Sequence, residues 1–207
     1  MGINERKEKQ KLEIKKMILD ASMKLFVEEG FEHVTIRKIA DIIEYSPTTI
    51  YLYFKDKNEI FYQLHELGFQ KMGEMNSNLN EITNPLTRLY KMGENYINFG
   101  LANPEFYDIM FISRAPMQVL EAMENCDWKY GEAALHALMA TVEECMKKKF
   151  IQKANVQVVS MAIWGMVHGL VSLQIRSRFN KIDDGKNIKV LMHQSVNWLL
   201  GQIDIKG

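Results

Sequence analysis

Apolar positions recur at helical spacing along almost the whole chain, and the alternation that marks strands is absent. From Lys11 to Glu29, the residues Ile14, Met17, Ile18, Ala21, Leu25 and Phe26 form one stripe with charge opposite, and Gly30 supplies a natural helix stop. A second helix is expected from Thr35, its cap, to about Ile43, with Ile36, Ile39, Ala40 and Ile43 facing inward. A third, Pro47 to Tyr53, has Ser46 as cap and Pro47 in the first turn, where a missing N–H costs nothing. After Asp56, spaced from Glu59 as in a capping box, an unbroken helix is predicted towards residue 80. Asn84-Pro85 opens a helix to Leu101, and Asn103-Pro104 opens a short one through Phe111. A turn over 113–116 and one or two helices within 117–149 follow. Asn155 then caps an apolar helix reaching Arg178, a loop holds Asp183, Asp184 and Gly185, and a last helix spans Asn187 to Leu200.

The pattern is therefore all-α, with about nine helices. Two short helices separated by about three residues, behind a longer amphipathic one, form a helix-turn-helix whose second helix fits a DNA major groove. This divides the chain into a three-helix DNA-binding domain, residues 1–56, and a larger helical domain, residues 57–207. Ser46, Thr48 and Thr49 can reach phosphates and base edges, Tyr51 and Tyr53 pair a flat apolar body with a hydroxyl, and Lys57 sits where an ammonium can meet a phosphate. Ile50 and Phe54 face the other way, towards Ile39, Ala40 and Phe26.

Charge argues less for nucleic acid. The chain carries 26 basic and 26 acidic residues, so attraction to DNA has to come from local placement. Before residue 17, Arg6, Lys7, Lys9, Lys11, Lys15 and Lys16 outnumber Glu5, Glu8 and Glu13, which suggests a flexible basic arm; Arg37 adds a cation on the second helix.

The run Met17-Ile18-Leu19-Asp20-Ala21, Leu25 to Phe31, Val34 to Ala40 and Ser46 to Lys57, with continuous spacing, resembles the TetR family of one-component regulators. The resemblance implies a DNA-binding transcription regulator whose Thr35, Arg37, Thr48, Thr49, Tyr51, Tyr53 and Lys57 face DNA and whose C-terminal helices, residues 57–207, form the ligand-binding and dimerisation domain. It departs from the family at the turn, where Ile43, Glu44 and Tyr45 stand in place of a small residue, a glycine and an aliphatic. Glycine suits a turn that needs positive φ, so Glu44 must either accept that strain or let the second helix run on.

In the apolar helix, Ala162, Gly165, Gly169 and Ser172 make a stripe of small residues that lets another helix approach closely. Such an all-round apolar helix must be covered on every side, which wedging between its own domain and a second subunit achieves. With Val190, Leu191, Val196, Trp198 and Leu199 of the last helix, it suits a two-fold homodimer on a palindromic operator in double-stranded DNA. Trp164-Gly165-Met166-Val167-His168-Gly169 resembles the Trp-x-x-x-His-Gly signature of one branch of the family's C-terminal domains, as does the stretch Asn103 to Phe111. Candidate effector-lining residues are Tyr96, Phe99, Tyr107, Phe111, Tyr130, Trp164 and His168, an aromatic set suited to a small hydrophobic or aromatic ligand. The 14 methionines add soft interior surface.

Other functions find little support. The histidines form no HExxH or carboxylate-paired metal site, and no GxSxG, P-loop or dinucleotide fingerprint occurs, so no enzyme activity, cofactor or metal is expected. Cys126 and Cys145 read as reduced thiols of a cytoplasmic protein. The segment from Val156 to Ile175 is long enough for a membrane span, but polar Gln157, Ser160, His168, Ser172 and Gln174 on several faces favour a covered core helix and no membrane partner. The expected activity is repression released by a small effector; the alternative is a regulator controlled by a protein partner.

Overall fold

The computed structural model describes residues 2–113, 128–181 and 187–204. Among them are nine α-helices: α1 (Ile3–Glu29), α2 (Ile36–Ile42), α3 (Pro47–Tyr51), α4 (Lys57–Met75), α5 (Pro85–Ala102), α6 (Pro104–Tyr107), α7 (Lys129–Lys147), α8 (Val156–Ile175) and α9 (Ile188–Ile203). The described residues contain no strand, only an isolated bridge between Ile151 and Asp204. Cys126, the Pro116 turn and the Asp183-Asp184-Gly185 loop lie outside the described residues.

The chain folds as two compact units. One comprises residues up to Gly68 together with 105–128; the other comprises 69–104 and 129–207. In the first, α1, α2, α3 and the start of α4 close on Ile18, Ile39, Ala40, Ile50, Phe54 and Ile60, all nearly inaccessible. Phe26, Phe31 and Phe61 stack as a trio with ring centroids 4.9–5.4 Å apart. Ile109, in the π-helical turn Asp108–Ile112 that continues α6, joins this core. That turn is closed by Ser113 N–H donating to Asp108 O at 2.8 Å.

In the second unit, Ile97 and Phe99 of α5, Val142 and Cys145 of α7, Val167 and Val171 of α8, and Met192 and Val196 of α9 are buried. A Cβ on Gly93 would stand 3.0 Å from Val196, so glycine is what lets α9 lie against α5. Arg88 donates to Glu144 at 3.0 Å and to the Ile82 carbonyl, while Lys148 approaches the same carboxylate at 2.7 Å. Those two cations, Lys148 foremost, hold the Glu144 carboxyl below its ordinary pKa.

Two expectations change. The basic segment before Lys11 is helix and not a flexible arm. Gly2 N–H donates to Glu5 at 2.7 Å, and Lys9 pairs with Glu13 one turn on. Residues 4–13 lack an apolar stripe but are rich in strong helix formers, which periodicity alone does not register. The helix after Asp56 ends at Met75, short of residue 80, and a 3-10 turn over Leu79–Glu81 follows.

Candidate DNA-binding face and effector site

The local rules that build the helix-turn-helix also set what its polar side chains can do. Thr35 caps α2 by accepting from Lys38 N–H at 3.2 Å. Ser46 caps α3 by accepting from Thr49 N–H at 3.1 Å and shares a hydroxyl hydrogen bond with Thr49 at 2.9 Å. Both cap oxygens are thus partly spent on backbone. The turn between the helices is a Schellman closure: Tyr45 N–H donates to Ala40 O at 3.0 Å and Glu44 N–H to Asp41 O at 3.4 Å. Glu44 sits in the left-handed region, φ 57°, so it accepts the strain and the second helix does not run on.

Thr35, Arg37, Ser46, Thr48 and Tyr51 are exposed, Tyr51 by 56%. Thr49 and Tyr53 are half-buried, and Tyr53 packs against the core. Lys38, beside Arg37, is neutralised by Glu29. Lys57 is placed differently from its expected position on a phosphate. Its ammonium donates to the carbonyls of Phe31 (2.9 Å), Val34 (3.3 Å) and Glu32 (3.5 Å) and lies 4.3 Å from the centre of the Phe31 ring. These hydrogen bonds run to backbone carbonyls.

Asp56 accepts from Glu59 N–H at 2.9 Å, as a cap should. The Glu59 carboxylate reaches back one residue further than a capping box requires, to Lys55 N–H at 2.6 Å. Leu52, 76% exposed just after α3, is a residue the sequence reading missed, since it fits no inward stripe and carries no polar atom.

The effector candidates separate. Tyr96 of α5 and Trp164 and His168 of α8 meet in the second unit. Trp164 Nε1–H donates to the Tyr96 hydroxyl at 3.2 Å, and that hydroxyl lies 3.2 Å from His168 Nδ1. The phenol accepts from the indole, and it can either donate to Nδ1 or accept from it, according to the imidazole tautomer. Burial lowers the His168 pKa, which favours the neutral ring. All three side chains are half-buried. Phe99 is fully buried in the core of the same unit, and Tyr130 is 41% exposed on the surface. Tyr107 and Phe111 belong to the first unit, with their rings 5.0 Å apart. Asn98 Oδ1, Ser160 Oγ and Gln174 Oε1, which the sequence reading passed over, are buried in the second unit with no hydrogen-bond partner.

The helix α8 is 20 residues long and apolar enough to cross a membrane by length and composition. One side, with Ser160, Ile163, Val167 and Val171, is buried. On the other, Val158 and Met161 are exposed by 64% and 65%, so within one chain the helix is not covered all round.

Comparisons with known proteins agree with this architecture. Residues 18–64 match the model of bacterial regulatory proteins of the tetR family, and residues 89–194 match that of the tetracyclin repressor-like C-terminal domain. A segment of 71 residues is 34% identical to the HTH-type transcriptional regulator AcrR of Shigella flexneri; it covers 34% of this chain and 33% of that one. The match therefore spans about a third of that curated relative's length. Among solved structures, the TetR-family regulator PfmR of Thermus thermophilus superposes with a TM-score of 0.67 at 17% identity, covering 88% of this chain and 96% of the other. The regulator FadR of Bacillus subtilis, in complex with stearoyl-CoA, does so with 0.70 at 20% identity, covering 89% and 96%.

Proposed function

This chain belongs to the tetR family of bacterial regulatory proteins, DNA-binding transcriptional regulators and not enzymes, and we propose that it is a repressor released from a palindromic operator by a small hydrophobic or aromatic effector. The observation that carries the DNA half is the pair of short capped helices, α2 and α3, with Arg37, Thr48 and Tyr51 exposed. We assign residues 1–56 as the DNA-binding module and 57–207 as the effector-binding and dimerising part. Thr48, Thr49 and Tyr51 read base edges, and Arg37, with the Thr35, Ser46 and Tyr53 hydroxyls, positions the backbone. Lys57 acts from behind, by holding the start of α4 to the segment that precedes α2.

The effector site is centred on Trp164, Tyr96 and His168. Three polar groups chained together beside apolar helices are the usual composition of a small-molecule site. Asn98, Ser160 and Gln174 offer further buried polar atoms for a ligand to satisfy. Phe99 and Tyr130 remain lining candidates of lower rank, because Phe99 is core and Tyr130 is exposed. Dimerisation uses the uncovered side of α8 with Leu191 and Trp198 of α9, exposed apolar residues in a soluble regulator. Such a protein works where the chromosome is, in the cytoplasm. Ligand binding shifts α4, which leads from the helix-turn-helix into the second unit, and changes the spacing of the two recognition helices.

The test is sequential. Genomic fragments retained by the purified protein define the operator. A thermal-shift screen, with aromatic compounds, fatty acids and acyl-CoA thioesters as arms, then seeks a ligand that raises the melting point by mass action. A compound that binds wild type, loses binding in Tyr96→Phe and His168→Leu, and weakens operator affinity supports the whole reading. A proven ligand that leaves operator affinity unchanged removes the effector half. Retention of no fragment removes the DNA half.

A further inference from the structure

The part of α1 before residue 18 lies outside the family match, and none of its side chains has been given a DNA contact above. There, α1 and the residues that follow α3 enclose a surface groove of about 340 Å³ lined by Lys7, Gln10, Lys11, Ile14, Leu52 and Tyr53. Positions 7, 11 and 14 share one helix face, with Gln10 beside them. The groove has an apolar floor, from buried Ile14 and largely exposed Leu52, and a cationic rim from two lysines. Among the described residues, no acidic side chain lines it.

The lysines of α1 divide by direction. Lys9 is paired with Glu13 at 3.8 Å and Lys16 with Asp20 at 2.7 Å. The Lys15 ammonium lies 5.5 Å from the centre of the Phe54 ring. Lys7 and Lys11, the two on the groove, make no ion pair among the described residues. Two uncompensated ammonium groups over an apolar floor, with a phenol at the edge, match a sugar–phosphate backbone, which presents anionic phosphates between apolar sugar faces. An isolated phosphate ion would leave Ile14 and Leu52 without a partner. The groove also adjoins the end of α3, the helix assigned to the major groove.

We propose that this groove seats the DNA backbone strand bordering the major groove that α3 enters, with Lys7 and Lys11 each neutralising one phosphate. The inference rests on the DNA-binding reading and extends the contact surface by about three turns of helix ahead of the family-matched segment.

Fluorescence anisotropy against a potassium chloride series tests it, with the genomic fragment selected by wild type as probe and a scrambled duplex as control. In Lys7→Gln/Lys11→Gln, the slope of log affinity against log salt should fall by about 1.8, which is about 0.9 for each phosphate contact. The preference for the selected over the scrambled duplex should stay unchanged, because phosphate contacts carry no sequence information. Lys7→Arg/Lys11→Arg should keep the wild-type slope and shows that the positions tolerate substitution. A double glutamine variant with wild-type slope overturns the inference while leaving the DNA-binding reading intact. So does a variant that keeps its slope but loses labelled polyglutamate, since that makes the occupant an acidic peptide. Wild type that ignores both duplexes ends the DNA-binding reading and the groove assignment together.

Discussion

Glu44 shows how one residue can depart from the pattern around it and still keep the motif. The two backbone bonds that close the turn require a left-handed residue at this position, and a side chain there costs about 1 kcal/mol relative to glycine. Glu44→Gly should therefore raise stability by about 1 kcal/mol in urea unfolding, and it should not weaken DNA binding, since it removes an exposed carboxylate beside α3. A loss of stability would mean that the Glu44 side chain makes a compensating contact. Lys57 makes the opposite point: its charge looks surface-directed in the sequence, yet three carbonyls and a ring hold it. Lys57→Ala should cost about 2 kcal/mol of stability and weaken operator binding while leaving the salt slope at the wild-type value. A slope lower by about 0.9 would put the ammonium on a phosphate after all.

Elements were legible in the sequence where apolar periodicity was strong, and their ends where a cap was chemically explicit. Asn84, for example, accepts from Leu86 and Thr87 N–H at 2.9 and 3.1 Å, and Asn155 from Val158 N–H at 3.1 Å. The first two turns of α1 were not legible, because good helix formers and i,i+4 ion pairs build them without a stripe. Of the seven effector candidates, Tyr96, Trp164 and His168 converge across two helices, a meeting the sequence does not show, since spacing along one helix gives no information about which residue of another it meets. The same blindness concealed His65 of α4. It is 2% exposed, and burial lowers its pKa to about 4 from 6.5 although Glu66 lies 3.6 Å away. A histidine with a depressed folded pKa contributes stability that is complete above the unfolded value and lost as pH falls through the folded one. Stability should thus decline between about pH 6.5 and pH 4, by up to about 3 kcal/mol from this group. Urea midpoints across that range measure the decline, and His65→Gln should flatten it; an equal decline in both proteins would assign it to other groups, such as His193, whose pKa burial also lowers.

At the scale of the whole molecule, the unmet requirement is the open side of α8. Val158, Met161, Ala162, Gly165 and Gly169 line it at helical spacing, and a Cβ built on Gly165 or Gly169 meets nothing within 4 Å. Small residues are needed in a helix where something approaches closely, and among the described residues nothing approaches these two. A second copy related by a two-fold axis, the dimer proposed above, would provide the approach. Gly165→Lys separates this role from folding. The new side chain enters open space in the single chain, and replacing a mid-helix glycine should stabilise the helix by about 0.5–1 kcal/mol. In a dimer, the same lysine would stand in the contact. Sedimentation should therefore find wild type near twice the 24.1 kDa chain mass and the variant near that mass. The variant should keep full helicity and bind a half-site duplex as wild type does, but lose the added affinity that a palindrome gives two linked reading heads. A Gly165→Lys protein that stayed dimeric would move the interface elsewhere and leave the open face of α8 without an explanation.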